Sequence, residues 1–304
     1  MSNAVNSMDA LTAKHCAQVI SNCLFDIFHN WRSDKKKNKS ENAITEEEAV
    51  AQCMLQMIVA RTRSLLALSD GVSLSSKIED IKLIDSIGMI SVWRTMYEMV
   101  FMFHNIFIMP SSKEECKILF NIWQIRGYNN RQKCDSSNIL LSKYNAQFNS
   151  EKIEISKLKK EVFQIIDTLN ISQGAVEQIK MALKKESSMI SGFLFKKENG
   201  KIISFEKISF EKSPSYLFKD GMDMLYTFLS MNSHASYLSV LQFGQLYNKN
   251  KEIHFLKTIL TGVCFLASFF ISDFCSYVKD AQSYYDMLSD QDKDMFDVFL
   301  SKKA

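Results

Sequence analysis

The sequence predicts an all-α fold, a multi-helix bundle with a helical insertion and one short β-hairpin, and three observations carry that prediction. Punctuation is scarce: 2 Pro and 9 Gly in 304 residues are too few for the many tight turns that a chain of short strands needs. Apolar residues recur every three or four positions over long stretches, as on helices with one buried face. The composition, 46% hydrophobic and 23% charged, is that of a globular chain long enough to bury a sizeable core. A single helical domain over 1–304 is expected, its core bundle built from about 5–110 and 215–304 and its excursion, with a flap, from about 111–214.

The first helix is expected from about Asp9 to Trp31, where Leu11, Cys16, Val19, Ile20, Cys23, Leu24, Ile27 and Phe28 repeat at helical spacing. "RSDKKKNKSEN" breaks that pattern and reads as an exposed loop. "TEEEA" starts the next helix with a capping box, Thr45 capping the backbone and Glu48 reaching back. That helix ends near Asp70-Gly71, where glycine accepts a left-handed cap. The third is expected over roughly 78–109, stopped by Pro110. Amphipathic segments follow at about 113–128, 136–149, 151–169 and 173–187. "GFLFKKENGKIISFEKISF" then departs from helical spacing, and its Asn199-Gly200 is a favoured two-residue hairpin turn. Helical periodicity resumes near Ser215 and runs through Tyr247, and two more helices are expected at about 251–279 and 281–301. "LSDQDKDMF" alternates acids as a calcium loop does, but Met295 and Ser301 stand where such a loop needs glycine and a bidentate glutamate. Ser289 capping a helix with acids in its first turn is the reading that fits.

The net charge of +3 does not by itself indicate a nucleic-acid partner. Residues 111–215 hold 18 Lys and Arg against 12 Asp and Glu, and the rest of the chain holds 19 against 22. No Arg cluster interleaves with aromatics in the basic part, so a solvated Lys-rich surface is expected there. Seven cysteines (Cys16, Cys23, Cys53, Cys116, Cys134, Cys264, Cys275) form no C-x-x-C pair and are odd in number, which points to a reduced, cytoplasmic protein. "TILTGVCFLASFFIS" lies between Lys257 and Asp273, about 15 uncharged residues where a membrane span needs about 20. A buried core helix is expected instead, and no membrane span. His15, His29 and His254 have no Cys, Asp or His at ligand spacing, so neither a metal nor a cofactor is expected.

Chemistry enters where charges interrupt apolar helices. In "SVWRTMYEMVFMFHN", at 100° per residue, Arg94, Glu98 and Asn105 project within about 40° of one direction, with Ser91 beside them. Two full charges on an otherwise apolar helix are costly unless paired or used. A second polar line, Tyr226, Ser230, Ser233, His234 and Tyr237, runs through "MLYTFLSMNSHASYLSVLQF", and places Ser230 and His234 four residues apart. A hydroxyl beside an imidazole suits nucleophile activation, and suits equally a buried histidine in need of a partner. Arg61 is expected to face inward from its helix and Arg63 to face water. His104, on an aromatic face, reads as a satisfied core residue.

Arg-x-x-x-Glu in "WRTMYE", followed far downstream by Tyr-x-x-x-Ser-x-x-x-His in "YTFLSMNSH", resembles a bacterial helical family catalogued as domain of unknown function 5677, over roughly residues 45–247. The resemblance implies that Arg94, Glu98, Ser230 and His234 belong to one shared site, and it supplies no activity. Helical nucleases with Arg-x4-6-His on one helix are a different case, since no arginine here has a histidine at that spacing.

Three functions are compatible with these residues. In the first, Arg94, Glu98, Ser230 and His234 bind or hydrolyse a phosphate-containing ligand, a nucleotide or RNA, with Arg61, Tyr97, Asn105, Tyr226 and Tyr237 around it. The second is a non-catalytic interaction or regulatory module, in which the two polar lines pair across packed helices, fix their register and leave a protein partner to bind elsewhere. The third, from family analogy alone, is a toxin-like or defence-associated effector.

Overall fold

The computed structural model describes residues 8–37, 44–75, 80–133, 145–184, 191–218, 222–234, 236–248 and 252–300. Twelve α-helices and two short antiparallel hairpins are found among them, a mostly-α fold as expected, with a second hairpin beside the one expected. The chain divides into two compact units, Met1–His104 with Phe210–Ala304, and Asn105–Ser209.

The first unit contains α1 (Ala10–Lys37), α2 (Glu46–Ser69), the hairpin β1 (Val72–Ser75) and β2 (Asp80–Leu83), and α3 (Ser86–Phe103). After the second unit it resumes with α7 (Pro214–Leu217), α8 (Leu225–Ser233), α9 (Tyr237–Asn248), α10 (Glu252–Tyr277), α11 (Lys279–Asp286) and α12 (Asp290–Leu300). The central helix is α10, which packs against α1, α2, α3 and α12. Among the described residues its Phe255–Tyr277 segment is the one long and apolar enough to cross a membrane, yet 78% of its most apolar window is buried inside the protein. Apolar on every side from Ile259 to Ile271, it is the kind of helix that other helices must surround. Gly262 sets how closely α3 approaches: a Cβ there would stand 1.9 Å from Trp93 Cζ2.

Local signals formed several boundaries as read. Thr45 Oγ1 accepts from the Glu48 N–H, and the Thr45 N–H donates to Glu48 Oε2, both at 3.2 Å. Gly71 closes α2 at φ +78°. Ser289 Oγ accepts from the Asp292 N–H at 3.2 Å at the start of α12. Elsewhere the elements differ. The expected third helix begins later, because Val72, Leu74, Ile81 and Leu83 alternate at period two and pair as a hairpin. Asp85 then caps α3, its Oδ1 accepting from the Gly88 N–H at 2.9 Å. The continuous helix expected over 215–247 is three helices, and the last expected helix is two, α11 and α12. Part of the basic run, 38–42, and the opening of the 136–149 segment lie outside the described residues.

The second unit holds α4 (Lys113–Arg131), α5 (Asn145–Ile166), α6 (Gln173–Ala182), β3 (Gly192–Glu198) and β4 (Lys201–Ile208). The β3–β4 turn is at Asn199-Gly200, with φ +49° and +75°, the left-handed pair that the sequence favours. α4 packs on α5, and α6 packs on β4. Phe193 and Phe205 stack across the two strands at 4.8 Å.

Candidate functional site

Polar chemistry in the first unit converges where α3 meets α8. Arg94 lies midway along α3, whose neighbours Trp93, Met96 and Tyr97 are buried, so the helix presents Arg94 and Glu98 at the edge of the core rather than in it. Their side chains are 20% and 30% exposed. The Arg94 guanidinium makes four donations. Nε–H donates to Glu98 Oε1 at 3.0 Å, and Nη2 to the Tyr226 hydroxyl at 3.0 Å. Nη1 donates to Ser233 Oγ at 2.9 Å and to His234 Nε2 at 2.7 Å. A guanidinium has no acceptor, so the His234 nitrogen facing it is unprotonated and that ring's proton sits on Nδ1. Tyr226 closes the circuit by donating to Glu98 Oε1 at 3.3 Å. Burial pulls the Arg94 pKa down, but the Tyr226 bond and the Glu98 charge outweigh it, and the net shift is upward. The guanidinium is therefore a fixed cation.

Aromatic packing positions Tyr226. Its ring stacks on Phe210 at 5.6 Å and lies 5.8 Å from Tyr97. Tyr97 is fully buried, and its hydroxyl sits 2.6 Å from Ser213 Oγ, which donates to the Phe210 carbonyl at 2.6 Å. Ser213 has one proton to give, so Tyr97 is the donor of the shared bond. Burial pushes the Tyr97 hydroxyl pKa up, which keeps it neutral. Tyr97 thus supports Tyr226 from beneath.

His234 follows the last residue of α8 and has extended backbone, φ −106° and ψ 151°. Its carbonyl is pinned by the Ser236 N–H at 2.7 Å and by Ser239 Oγ at 2.5 Å, while its side chain is exposed. Ser236 in turn caps α9 by accepting from the Ser239 N–H at 3.1 Å. This serine turn ends one helix, starts the next, and aims the imidazole back at Arg94.

The structure thus brings together Arg94, Glu98, Tyr226 and His234, with Tyr97 below. Ser233 joins them, and the other residues singled out in the sequence have different roles. Ser230 contributes its carbonyl, which accepts from Ser233 Oγ at 3.3 Å, and the hydroxyl that reaches Arg94 is that of Ser233. The helix ends at Ser233, so His234 is not one helical turn from Ser230 as the spacing implied. Tyr237 stands 80% exposed on α9. Arg61, on α2, donates from Nε to Thr95 Oγ1 at 3.0 Å, along the row of α3 next to that of Arg94. Asn105 belongs to the second unit. It sits in a π-turn, His104–Ile108, and within the second unit its amide bonds both main-chain groups of Phe193, at 2.8 and 3.0 Å. Those two bonds extend the β3 ladder, a structural use.

His104 has a partner as a core histidine should, with Nδ1 2.7 Å from the buried Asp273 carboxylate. A pocket of about 290 Å³ lies away from the Arg94 residues, lined by Asp70, Lys82, Leu83, Ile84, Ser86, Phe243 and Leu246. Its charged lining is Asp70 and Lys82, of which Asp70 is also paired with Lys14, and it has no histidine or arginine, so the chemistry points to the Arg94 cluster. Among the described residues no group of three or more His, Cys, Asp or Glu is arranged to hold a metal ion.

Comparison with known proteins gives one finding and two blanks. Neither the curated proteins nor the solved structures contain a match to the chain. The model of a family of unknown function, DUF5677, matches residues 64–253, more than half of the chain and inclusive of both α3 and α8. The chain that joins WRTMYE to YTFLSMNSH through one arginine belongs to the DUF5677 family.

Proposed function

We propose that the Arg94 cluster binds a phosphate-containing ligand, a nucleotide or RNA, and offers it Glu98 and His234 as acid–base groups. One observation supports this reading above the others: both N–H bonds of Nη1 go to the cluster's more replaceable partners. His234 is exposed, and the Ser233 hydroxyl makes only one long donation of its own, to the Ser230 carbonyl at 3.3 Å. Glu98 and Tyr226 hold the opposite side of the guanidinium, so it keeps its orientation when the Nη1 partners are exchanged. A phosphate oxygen arriving at Nη1 displaces the His234 nitrogen, and the exposed ring turns to donate its Nδ1 proton to the same anion. Ser233 turns its hydroxyl to donate as well. Glu98 offsets part of the Arg94 charge, so affinity is expected to be modest and to fall with salt.

A second reading has an observation of its own. Four of the five guanidinium N–H bonds are already made, and three of them join α3 to α8 or to the residue that follows it. A clasp that fixes helix register, in a non-catalytic interaction module, needs nothing more.

Titration calorimetry with AMP, ADP and a short single-stranded RNA, paired with thermal unfolding, separates the two. Binding by the wild type, a loss of about tenfold or more in His234→Ala, about 1.4 kcal/mol, and an unchanged unfolding temperature are the expected results. Absence of binding by every probe, with His234→Ala and Arg94→Ala both lowering the unfolding temperature, would establish the clasp instead. Release of phosphate or RNA cleavage in the same samples would extend binding to hydrolysis.

A further inference from the structure

We infer that the outer face of α9 is a homodimerisation surface, covered by the same helix of a second copy of this chain. The helix carries no charged residue in "YLSVLQFGQLYN", although 23% of the chain is charged. At 100° per residue, Tyr237, Val240, Leu241 and Gly244 occupy one arc about 100° wide, with Leu238 at its margin. Tyr237, Leu238, Val240 and Leu241 are 80%, 51%, 65% and 41% exposed. The opposite arc is apolar too: Ser239 is buried, and Phe243 and Leu246 line the pocket with Leu83 and Ile84. A helix apolar on both faces is one that is buried on both.

The identity of the occupant follows from charge, shape and area. Nucleic acid and anionic lipid are recognised through Lys and Arg, and α9 has none. A charged protein partner finds no complement here either. The spacing i, i+3, i+4, i+7 of Tyr237, Val240, Leu241 and Gly244 is a seam that packs against itself across a two-fold axis. At Gly244 a Cβ would meet nothing within 4 Å, so the middle of the face is open for a second backbone to approach. The four exposed side chains offer on the order of 400 Å², the size of the largest patch on a typical monomer, which is often a functional one. Met231 at the end of α8 and Ile253 at the start of α10, both exposed, add apolar surface on either side in sequence. Two such faces, about 800 Å² in all, suit a weak dimer that forms and separates rather than a permanent one.

The test is the mass of the full chain in solution by light scattering, from about 1 to 50 μM, a range that brackets a micromolar dimer. Twice the chain mass is expected for the wild type, and the single mass for Val240→Glu and Leu241→Glu. Gly244→Lys guards against unfolding as the explanation, because its side chain enters open space and removes a helix-weakening glycine. It is expected to keep the wild-type circular dichroism and to raise the dimer dissociation constant at least tenfold. A wild type that is monomeric throughout, or a dimer unaffected by all three substitutions, overturns the proposal. So does a monomer that co-sediments with neutral phosphatidylcholine vesicles, which would make lipid the occupant.

Discussion

Arg94 in the first unit and Arg126 in the second are both arginines on helices with a buried face, and their surroundings separate two uses of the same side chain. Arg126 is 5% exposed, its guanidinium lies 4.8 Å from the Phe193 ring, and Nη1 donates to the buried Ser191 hydroxyl at 2.6 Å. Burial pulls its pKa down. Arg94 keeps a fifth of its side chain in water and includes an exposed histidine among its partners. A closed arginine holds a fold together, whereas a half-open one holds its own position and leaves some of its donors exchangeable.

That contrast can be broken by substitution, beginning where the effect should be greatest. Arg126→Ala removes a buried charged hydrogen bond and the packing on Phe193, and should destabilise the protein by about 3 kcal/mol in urea denaturation. A cost near zero would remove the basis for calling that site closed. Gly262→Ala should cost about 2 kcal/mol, because Trp93, the residue before Arg94, must shift to admit a methyl group. If the Arg94 cluster is rigidly set by α3, the same variant should also weaken nucleotide binding. Ser236→Ala removes the α9 cap and should cost about 1 kcal/mol. Its sharper consequence is a less ordered His234 ring, visible as a broadened imidazole NMR signal. Smallest in stability is His234→Ala, within about 0.5 kcal/mol as for an exposed side chain. A larger cost would show that the open site is as structural as the closed one.

What could be read beforehand divides along physical lines. The Thr45–Glu48 box, the Asn199-Gly200 turn and the apolar α10 are local or redundant signals, and the structure contains all three. The β1–β2 hairpin was missed because four-residue strands offer only two residues to each face, too few to outweigh the helical pattern that follows. The break at His234 was missed because apolar residues continue at helical spacing across it. The serine cap that ends the run was the available signal. The polar line along the helix was legible and the use of its members was not: Arg94 and Glu98 lie beside α8, whereas Asn105 belongs to the second unit and bonds Phe193. Meeting partners such as Tyr226 and His234, some 130 to 140 residues away, is a property of tertiary packing that no local pattern contains.

The division of the chain also sets a timetable for its synthesis. The first unit is split, with α1, α2 and α3 made early and α10, which they surround, made only after residues 105–209 have emerged. Between the end of α3 and the end of α10 lie over 170 residues, on the order of ten to thirty seconds of translation. During that interval the faces of α1–α3 that will meet α10 have no native partner, whereas the second unit is contiguous and has all its strands and helices in hand. A ribosome-bound chain truncated near residue 250, with 105–209 clear of the exit tunnel, should therefore protect 105–209 from protease and leave 10–104 open, until α10 arrives and the bundle closes around it.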